Sequence, residues 1–147
     1  QNSHYETGPF ARQRDHSALS RARETFGDGV YTRFAARVLE VTQLLDELNR
    51  IFAGETLSRE TSDQGIAQVQ AIRGRLLHCV DTNGEKITRY RILAPTEWNF
   101  HPQGLVQKML STLTGENEHD LRQQTQLIVQ AVDPCVGYDI DIRAGTS

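Results

Sequence analysis

The residues of this chain that could do chemistry are concentrated in two segments, APTEWNFHPQG at 94–104 and DPCVGYDID at 133–141. Cys135 follows Pro134 directly after the predicted end of a helix, where a thiolate would be exposed and could bind a ligand. A CxxC pair would bring two thiolates to one metal, but the second cysteine position is occupied by Tyr138. The spacing excludes a self-contained zinc or iron–sulfur site here, and a lone cysteine is more often a packed residue than a ligand.

Several other polar groups have structural interpretations that compete with functional ones. His78 and Cys79 are neighbours on a predicted strand and point to opposite faces, so they cannot chelate one ion together, and we expect both to be buried. His101 is expected to bond the backbone of its own loop. Asp133 could accept from Arg73 or from backbone amides, or cap the end of a helix. The chain contains no GxGxxG, Walker, GxSxG or HExxH motif.

Length and charge exclude several classes of protein. With 147 residues the chain suits a single domain, 1–147, that buries a real core. Its 16 Lys and Arg and 19 Asp and Glu give a net charge of −3 without long blocks of either sign, which argues against nucleic-acid binding. No window is apolar enough to span a membrane and no signal peptide is evident, so we expect a soluble, cytoplasmic protein. Cys79 and Cys135 are expected to be free thiols.

Apolar periodicity predicts a long amphipathic helix that begins after a cap at Asp28 and ends before Gly54. Its apolar residues recur at steps of three and four, at Tyr31, Phe34, Val38, Val41, Leu45, Leu48 and Phe52. We expect this stripe to face the hydrophobic core. Upstream, residues 17–26 suit a short helix closed by Gly27. Residues 1–14 carry no usable period, and we expect them to be irregular or to pair with a segment outside this sequence.

Three strands are expected in the middle of the chain. Residues 67–71 alternate between apolar and polar, and RGRLLHCV and KITRYRIL flank a DTNGE turn in which Asn83 and Gly84 suit a tight hairpin. Gly74, between the first two strands, indicates a bulge or a close approach of backbone. Pro95 ends the third strand, and the segment after it is expected to be a loop.

Two helices are expected near the C-terminus. The first runs from about residue 103 to 113. The second is capped by Asn117 with Asp120 three residues later, and it ends near Val132 because Pro134 disfavours the helical conformation in the residue before it. A long helix, a small antiparallel sheet with a hairpin and two C-terminal helices make the fold class α+β.

These segments resemble the C-terminal part of nickel–iron hydrogenase large subunits. The resemblance runs in collinear order through YETGPFAR at 5–12, VQAIRGRLLH at 69–78, NGEKITRYRILAPTEWN at 83–99 and DPCVGYDID at 133–141. It implies a fold like the corresponding part of those subunits. Because the chain begins at Gln1 in patterned sequence, we interpret it as the C-terminal portion of a longer protein.

The resemblance also implies site residues. In catalytic members the last motif reads Asp-Pro-Cys-x-x-Cys-x-x-His, and its cysteines help to bind a nickel–iron centre that carries cyanide and carbon monoxide on iron. Cys135 matches the first cysteine, a terminal ligand of nickel, whereas Tyr138 replaces the bridging cysteine and Asp141 replaces the histidine. Asp133 and Arg73 match an aspartate and an arginine that lie over the metals in the family.

These departures argue against ordinary hydrogen cleavage, because a phenol is a harder ligand on a longer ring than the bridging thiolate it replaces. APTEWNFHPQG at 94–104 instead resembles the accessory, large-subunit-like hydrogenase expression/formation proteins of the HupK and HoxV kind. For those the resemblance implies a scaffold or carrier that holds iron with its cyanide and carbon monoxide ligands before delivery to the large subunit.

Three hypotheses follow. The first is a non-enzymatic maturation factor in which Cys135 transiently binds the iron unit, without nickel, while Arg73 and Asp133 shape the pocket. Its partners would be hydrogenase maturation chaperones and hydrogenase subunits. The second is a metal-free interaction module of the assembly complex. The third is a divergent hydrogenase or hydrogen sensor, and the Tyr138 replacement makes it the weakest of the three.

Overall fold

The computed structural model describes residues 6–56 and 65–143, and over these ranges the chain combines helices with one small antiparallel sheet, as the α+β prediction requires. The elements in chain order are α1 (Pro9–Arg12), α2 (Ser17–Phe26), α3 (Val30–Phe52), β1 (Ile66–Ala71), β2 (Gly74–Asn83), β3 (Lys86–Leu93), α4 (Pro95–Asn99), α5 (Leu105–Leu110) and α6 (Glu118–Val132). The predicted connector at 54–65 and the N-terminal segment at 1–14 lie partly outside the described residues.

The N-terminal helices are set by local signals. The prediction of irregular structure over residues 1–14 is wrong for α1, which is one turn long. The helix begins with Pro9, whose fixed φ suits the first helical position. The predicted helix at 17–26 is confirmed as α2. The Nδ1 atom of His16 accepts a hydrogen bond from the Ala18 amide at its start, and Gly27 ends it in a left-handed conformation.

The long predicted helix is confirmed as α3, but its cap differs from the prediction. The residue that precedes the helix is Gly29 rather than Asp28. The Asp28 carboxylate instead accepts a hydrogen bond from Arg23 Nε, at 2.6 Å, at the end of α2. This carboxylate therefore ties the turn that precedes α3 to α2 and does not cap a helix.

The prediction that the apolar stripe of α3 faces the core is wrong over most of the helix. Six of the seven stripe residues are 48–85 % exposed: Tyr31, Val38, Val41, Leu45, Leu48 and Phe52. The buried residues of α3 are Thr32, Arg33 and Ala36, which lie on other sides of the helix from the stripe. Helices α1, α2 and α6 contact α3. The stripe is exposed because the neighbouring elements of this chain pack against the more polar sides of the helix.

The sheet is a meander in the order β1-β2-β3, with both pairs antiparallel. Asn83 pairs with Lys86, so the hairpin turn consists of Gly84 and Glu85, one residue later than predicted. Only Gly84 of the predicted pair has a positive φ, 62°. Gly74 begins β2 with a φ of 139°, a conformation that side chains rarely adopt.

The segment after β3 is helical, so the prediction of a loop at 94–104 is wrong in its first half. Pro95 occupies the first position of α4. The Glu97 carboxylate accepts a hydrogen bond from the Ala94 amide at 2.8 Å, which caps the N-terminus of the helix.

Helix α5 is shorter than the predicted 103–113. Helix α6 confirms its prediction: the Asn117 side chain accepts from the Asp120 amide at 3.0 Å.

Two small apolar clusters hold the helices together. One joins α1, α2 and α3 through Phe10, Leu19 and Ala36. The other joins α5 and α6 through Val106, Ile128 and Val132. Within 6–56 and 65–143, no helix is long and apolar enough to cross a bilayer.

Candidate functional site

Arg73 and Asp133 meet at an ion pair between the turn that precedes β2 and the end of α6. The distance from Arg73 Nε to Asp133 Oδ2 is 3.1 Å, and the two side chains are 38 % and 37 % exposed. Asp133 has a left-handed backbone, with φ at 60°, because α6 ends there and Pro134 follows. The Arg73 Nε atom is itself buried and its N–H is not aimed well enough to count as a hydrogen bond. The pair is therefore held by charge at close range.

Cys135 lies two residues beyond this ion pair and is exposed, as the sequence predicts. Its Sγ atom is 3.1 Å from the hydroxyl of Thr96, in a hydrogen bond in which either group can donate. Thr96 occupies the first turn of α4, so the contact joins the Asp-Pro-Cys segment to the helix that follows the sheet. When the thiol is ionised, the hydroxyl can donate to the thiolate and fix its direction.

A third contact ties the N-terminal segment to the same region. Asn99, only 3 % exposed, accepts from the Thr7 amide at 2.9 Å and donates to the Thr7 carbonyl at 2.8 Å. The Thr7 hydroxyl accepts from the Arg75 amide at 2.7 Å. A Cβ on Gly74 would lie 2.6 Å from the Thr7 methyl group, and one on Gly8 would lie 3.1 Å from the Arg73 carbonyl oxygen. The predicted close approach at Gly74 is therefore confirmed, with Thr7 as the neighbour.

These contacts surround a small cavity of about 50 Å³. Its lining includes Thr7, Gly8, Ile72, Arg73, Asn99 and Asp133. A cavity of this size holds a few water-sized groups. Cys135 is not part of this lining, so the thiol and the cavity are adjacent features of one region and not a single pocket.

Two further arginines support this region, and no local sequence pattern predicts the role of either. Arg33 is 4 % exposed and forms a two-pronged ion pair with Glu6, at 3.0 and 2.6 Å. Arg37 donates from Nη2 to the carbonyls of Gln130 and Ala131 at the end of α6, both at 3.0 Å. A cation at a helix C-terminus is favourable, so Arg37 stabilises the helix end from which Asp133 extends.

Thr96, Asn99 and Thr7 were also missed as site residues. All three lie inside the segments that resemble the hydrogenase large subunits, but their local pattern does not indicate which distant residue each contacts. The signal that could have found Asn99 is its place directly after Trp98, in a segment rich in hydrogen-bonding groups that begins with Pro95.

The remaining candidates lie away from the site or have structural roles. His78 Nδ1 lies 2.5 Å from the Tyr90 hydroxyl on the sheet. The prediction that His78 and Cys79 are buried is wrong, because both are half-buried. His101 confirms its predicted bond to its own loop, since its Nδ1 atom accepts from the Gln103 amide at 3.1 Å. Both cysteines are free, as predicted.

The described part of the chain contains no cluster of three or more His, Cys, Asp or Glu side chains that could hold a metal ion. At Cys135 the chain offers a single exposed thiol with a hydroxyl beside it. What this arrangement can do chemically is to supply one thiolate to a group whose remaining ligands come from elsewhere.

The chain is similar in sequence to proteins that are named as hydrogenase expression/formation proteins. The hydrogenase expression/formation protein HupK of Bradyrhizobium diazoefficiens is 34% identical over 144 residues, which are 94% of this chain and 39% of that protein. HupK of Rhizobium leguminosarum bv. viciae is 44% identical over 81 residues, 54% of this chain and 22% of that protein. HoxV of Cupriavidus necator is 45% identical over 82 residues, 53% of this chain and 21% of that protein. The chain thus spans well under half the length of these curated relatives.

A sequence profile described as nickel-dependent hydrogenase matches residues 15–139. The match includes the turn with Arg73, helix α4 with Thr96, and the Asp-Pro-Cys segment. Because it covers most of the sequence, the chain belongs to the nickel-dependent hydrogenase family.

Proposed function

We propose that this chain is part of a hydrogenase maturation factor, a large-subunit-like scaffold that carries iron with its cyanide and carbon monoxide ligands as cargo. The observation that carries the proposal is the exposed thiol of Cys135, 3.1 Å from Thr96, two residues after the aspartate that pairs with Arg73. Relatives named as hydrogenase expression/formation proteins support an assembly role.

Each site residue has a part in holding that cargo. Cys135 supplies a thiolate, a soft ligand suited to low-spin iron with strong-field ligands. The Thr96 hydroxyl donates to the sulfur and orients it. Arg73 is a fixed donor that suits the nitrogen of a cyanide, and Asp133 holds the Arg73 side chain in place through their ion pair.

The same residues argue against a role in hydrogen cleavage. The position that would supply the bridging thiolate is Tyr138, which is 44 % exposed. One thiolate at Cys135 suits a transient carrier, because a cargo with few protein ligands is easier to release than one held by four. We therefore expect no nickel at this site, and we place the protein in the cytoplasm with maturation chaperones and hydrogenase subunits as its partners.

Metal content tests the proposal. The chain is purified without oxygen from cells that carry the hydrogenase maturation machinery, as wild type, Cys135→Ala and Cys79→Ala, and iron and nickel are measured by mass spectrometry. Cys79→Ala is the matched control because it removes the other free thiol, on β2. We expect iron without nickel in the wild type and the control, and no iron in Cys135→Ala. Iron that survives Cys135→Ala would contradict the ligand role.

A second candidate function is a metal-free interaction module of the assembly complex. It is favoured by the exposed apolar side chains on α3 and by the lack of a metal-binding cluster within the described residues. This alternative predicts that none of the three purified proteins contains iron and that partner binding is the same with and without Cys135.

A further inference from the structure

Helix α3 turns its apolar stripe away from the rest of its own chain. With 3.6 residues per turn, Val38, Val41, Leu45, Leu48 and Phe52 form one continuous line on the helix, and each is 48–85 % exposed. Leu44 and Ile51, both 44 % exposed, widen it on one side. These seven residues are called the α3 stripe below.

The side of α3 that faces its own chain carries polar groups beside the small apolar contact at Ala36. Glu40 forms an ion pair with Arg12, Nε to Oε1 at 2.5 Å, and the Gln43 side chain accepts from Gln13 at 2.6 Å. Upstream, Thr32 and Arg33 are buried on the same helix. An isolated unit would bury the stripe and expose the glutamate and glutamine. The reversed arrangement indicates that the stripe is built to be covered by another surface.

The shape and charge of the stripe define what covers it. From Val38 to Phe52 the line is about 20 Å long at 1.5 Å per residue, which suits the side of another helix. Asp46 and Glu47 flank it, and neither forms an ion pair with a residue in the described ranges. A covering helix with an apolar face and basic residues at its margins would complement both features.

We propose that the α3 stripe seats an amphipathic helix from the part of a large-subunit-like polypeptide that the longer relatives carry outside the region matched here. HupK of Bradyrhizobium diazoefficiens aligns with 94% of this chain, yet the alignment accounts for only 39% of that relative. Most of such a polypeptide is therefore available to cover the stripe. This proposal does not depend on iron. It can fail while the proposed iron-carrier function holds, and the iron-carrier function can fail while this proposal holds.

The test uses the whole 147-residue chain, tagged, and co-expressed with the portion of the Bradyrhizobium HupK that lies outside the alignment. We expect the two to co-purify in equal amounts, with slower amide hydrogen exchange over residues 38–52 than in the chain alone. Leu45→Glu should reduce the captured amount at least tenfold. Leu127→Glu is the matched control, because Leu127 is a similarly exposed helical leucine, 48 % exposed, outside the stripe, and it should leave capture unchanged.

A second variant guards against a loss of folding. Asp46→Lys with Glu47→Lys reverses the charge at the margins without touching the stripe, and it should also weaken capture while leaving the far-ultraviolet circular dichroism unchanged. Three results would overturn the proposal: no capture by the wild type, capture undiminished by Leu45→Glu, or a dimer of the chain that protects residues 38–52 and that the HupK portion does not displace.

Discussion

Asp133 at the end of α6 forms an ion pair with Arg73 in the turn before β2, although the two residues are far apart in the chain. The distance from Arg73 Nε to Asp133 Oδ2 is 3.1 Å. The ion pair depends on the left-handed backbone of Asp133, which turns the chain out of α6 before Pro134. The sheet and the Asp-Pro-Cys segment are thus linked beside the thiol that we assign to the cargo.

The coupling between Arg73 and Asp133 should be weak in free energy of unfolding. Both side chains are more than a third exposed, so solvent screens their attraction, and we expect a coupling of about 0.2–1 kcal/mol. A double-mutant cycle of Arg73→Gln and Asp133→Asn, followed by urea unfolding, measures it. Asparagine is chosen because it tolerates the left-handed backbone of position 133. A coupling above 2 kcal/mol would show that the pair is shielded from solvent.

Asn99 should contribute more to the free energy of unfolding than an exposed asparagine such as Asn49. Asn99→Leu leaves the amide and the carbonyl of Thr7 without their partner in a buried place, and we expect a loss of about 1–3 kcal/mol. Asn49→Ala, on the exposed part of α3, is the control and should change stability by less than about 0.5 kcal/mol. Equal losses in the two variants would mean that Asn99 does not anchor the N-terminal segment.

Gly74→Ala should destabilise the junction between Thr7 and the sheet. The new Cβ would lie 2.6 Å from the Thr7 methyl group, at a φ of 139° that alanine rarely adopts, so we expect a loss above about 1 kcal/mol in thermal unfolding. Gly137→Ala has open space within 4 Å and serves as the control. If Gly74→Ala melted at the wild-type temperature, the close approach of Thr7 would be refuted.

Acid should weaken the ion pair between Arg23 of α2 and Asp28 in the turn that precedes α3. The hydrogen bond from Arg23 lowers the pKa of Asp28 below its ordinary value of 3.8, aided by the charges of neighbouring arginines and opposed by partial burial. A lowered pKa in the folded state means that the contribution is present above pH 3.8 and is lost as the pH falls through the folded pKa. We expect Asp28→Asn to melt below the wild type at pH 7, and the difference to shrink below pH 3.8. A difference independent of pH would contradict this assignment.

Local signals in the sequence were enough for elements whose ends are fixed by a few adjacent residues. Asn117 caps α6, and Pro134 ends it, because both effects act within one turn of the helix. The exposed position of Cys135 follows from that helix end. An ion pair between Asp133 and Arg73 could be predicted from their charges and from the family resemblance, but the distance between the two side chains could not.

Contacts between distant segments could not be predicted in the same way. The α3 periodicity gives the position of the stripe but not which side of the helix its neighbours cover, since that depends on tertiary packing. The link between Thr7 and Asn99 has no periodic signature at all. The position of the hairpin turn also depends on the pairing of two strands. Asn83 pairs with Lys86, so the turn consists of Gly84 and Glu85 and lies one residue later than predicted.

The infrared spectrum in the cyanide and carbonyl stretching region tests the central claim most directly. It is recorded on the protein purified without oxygen from a host with the maturation machinery, together with its Cys135→Ala variant. The account predicts cyanide and carbonyl bands in the wild type, without nickel in the sample, and their loss in the variant. A wild-type spectrum without such bands would contradict the carrier role and favour the metal-free interaction module.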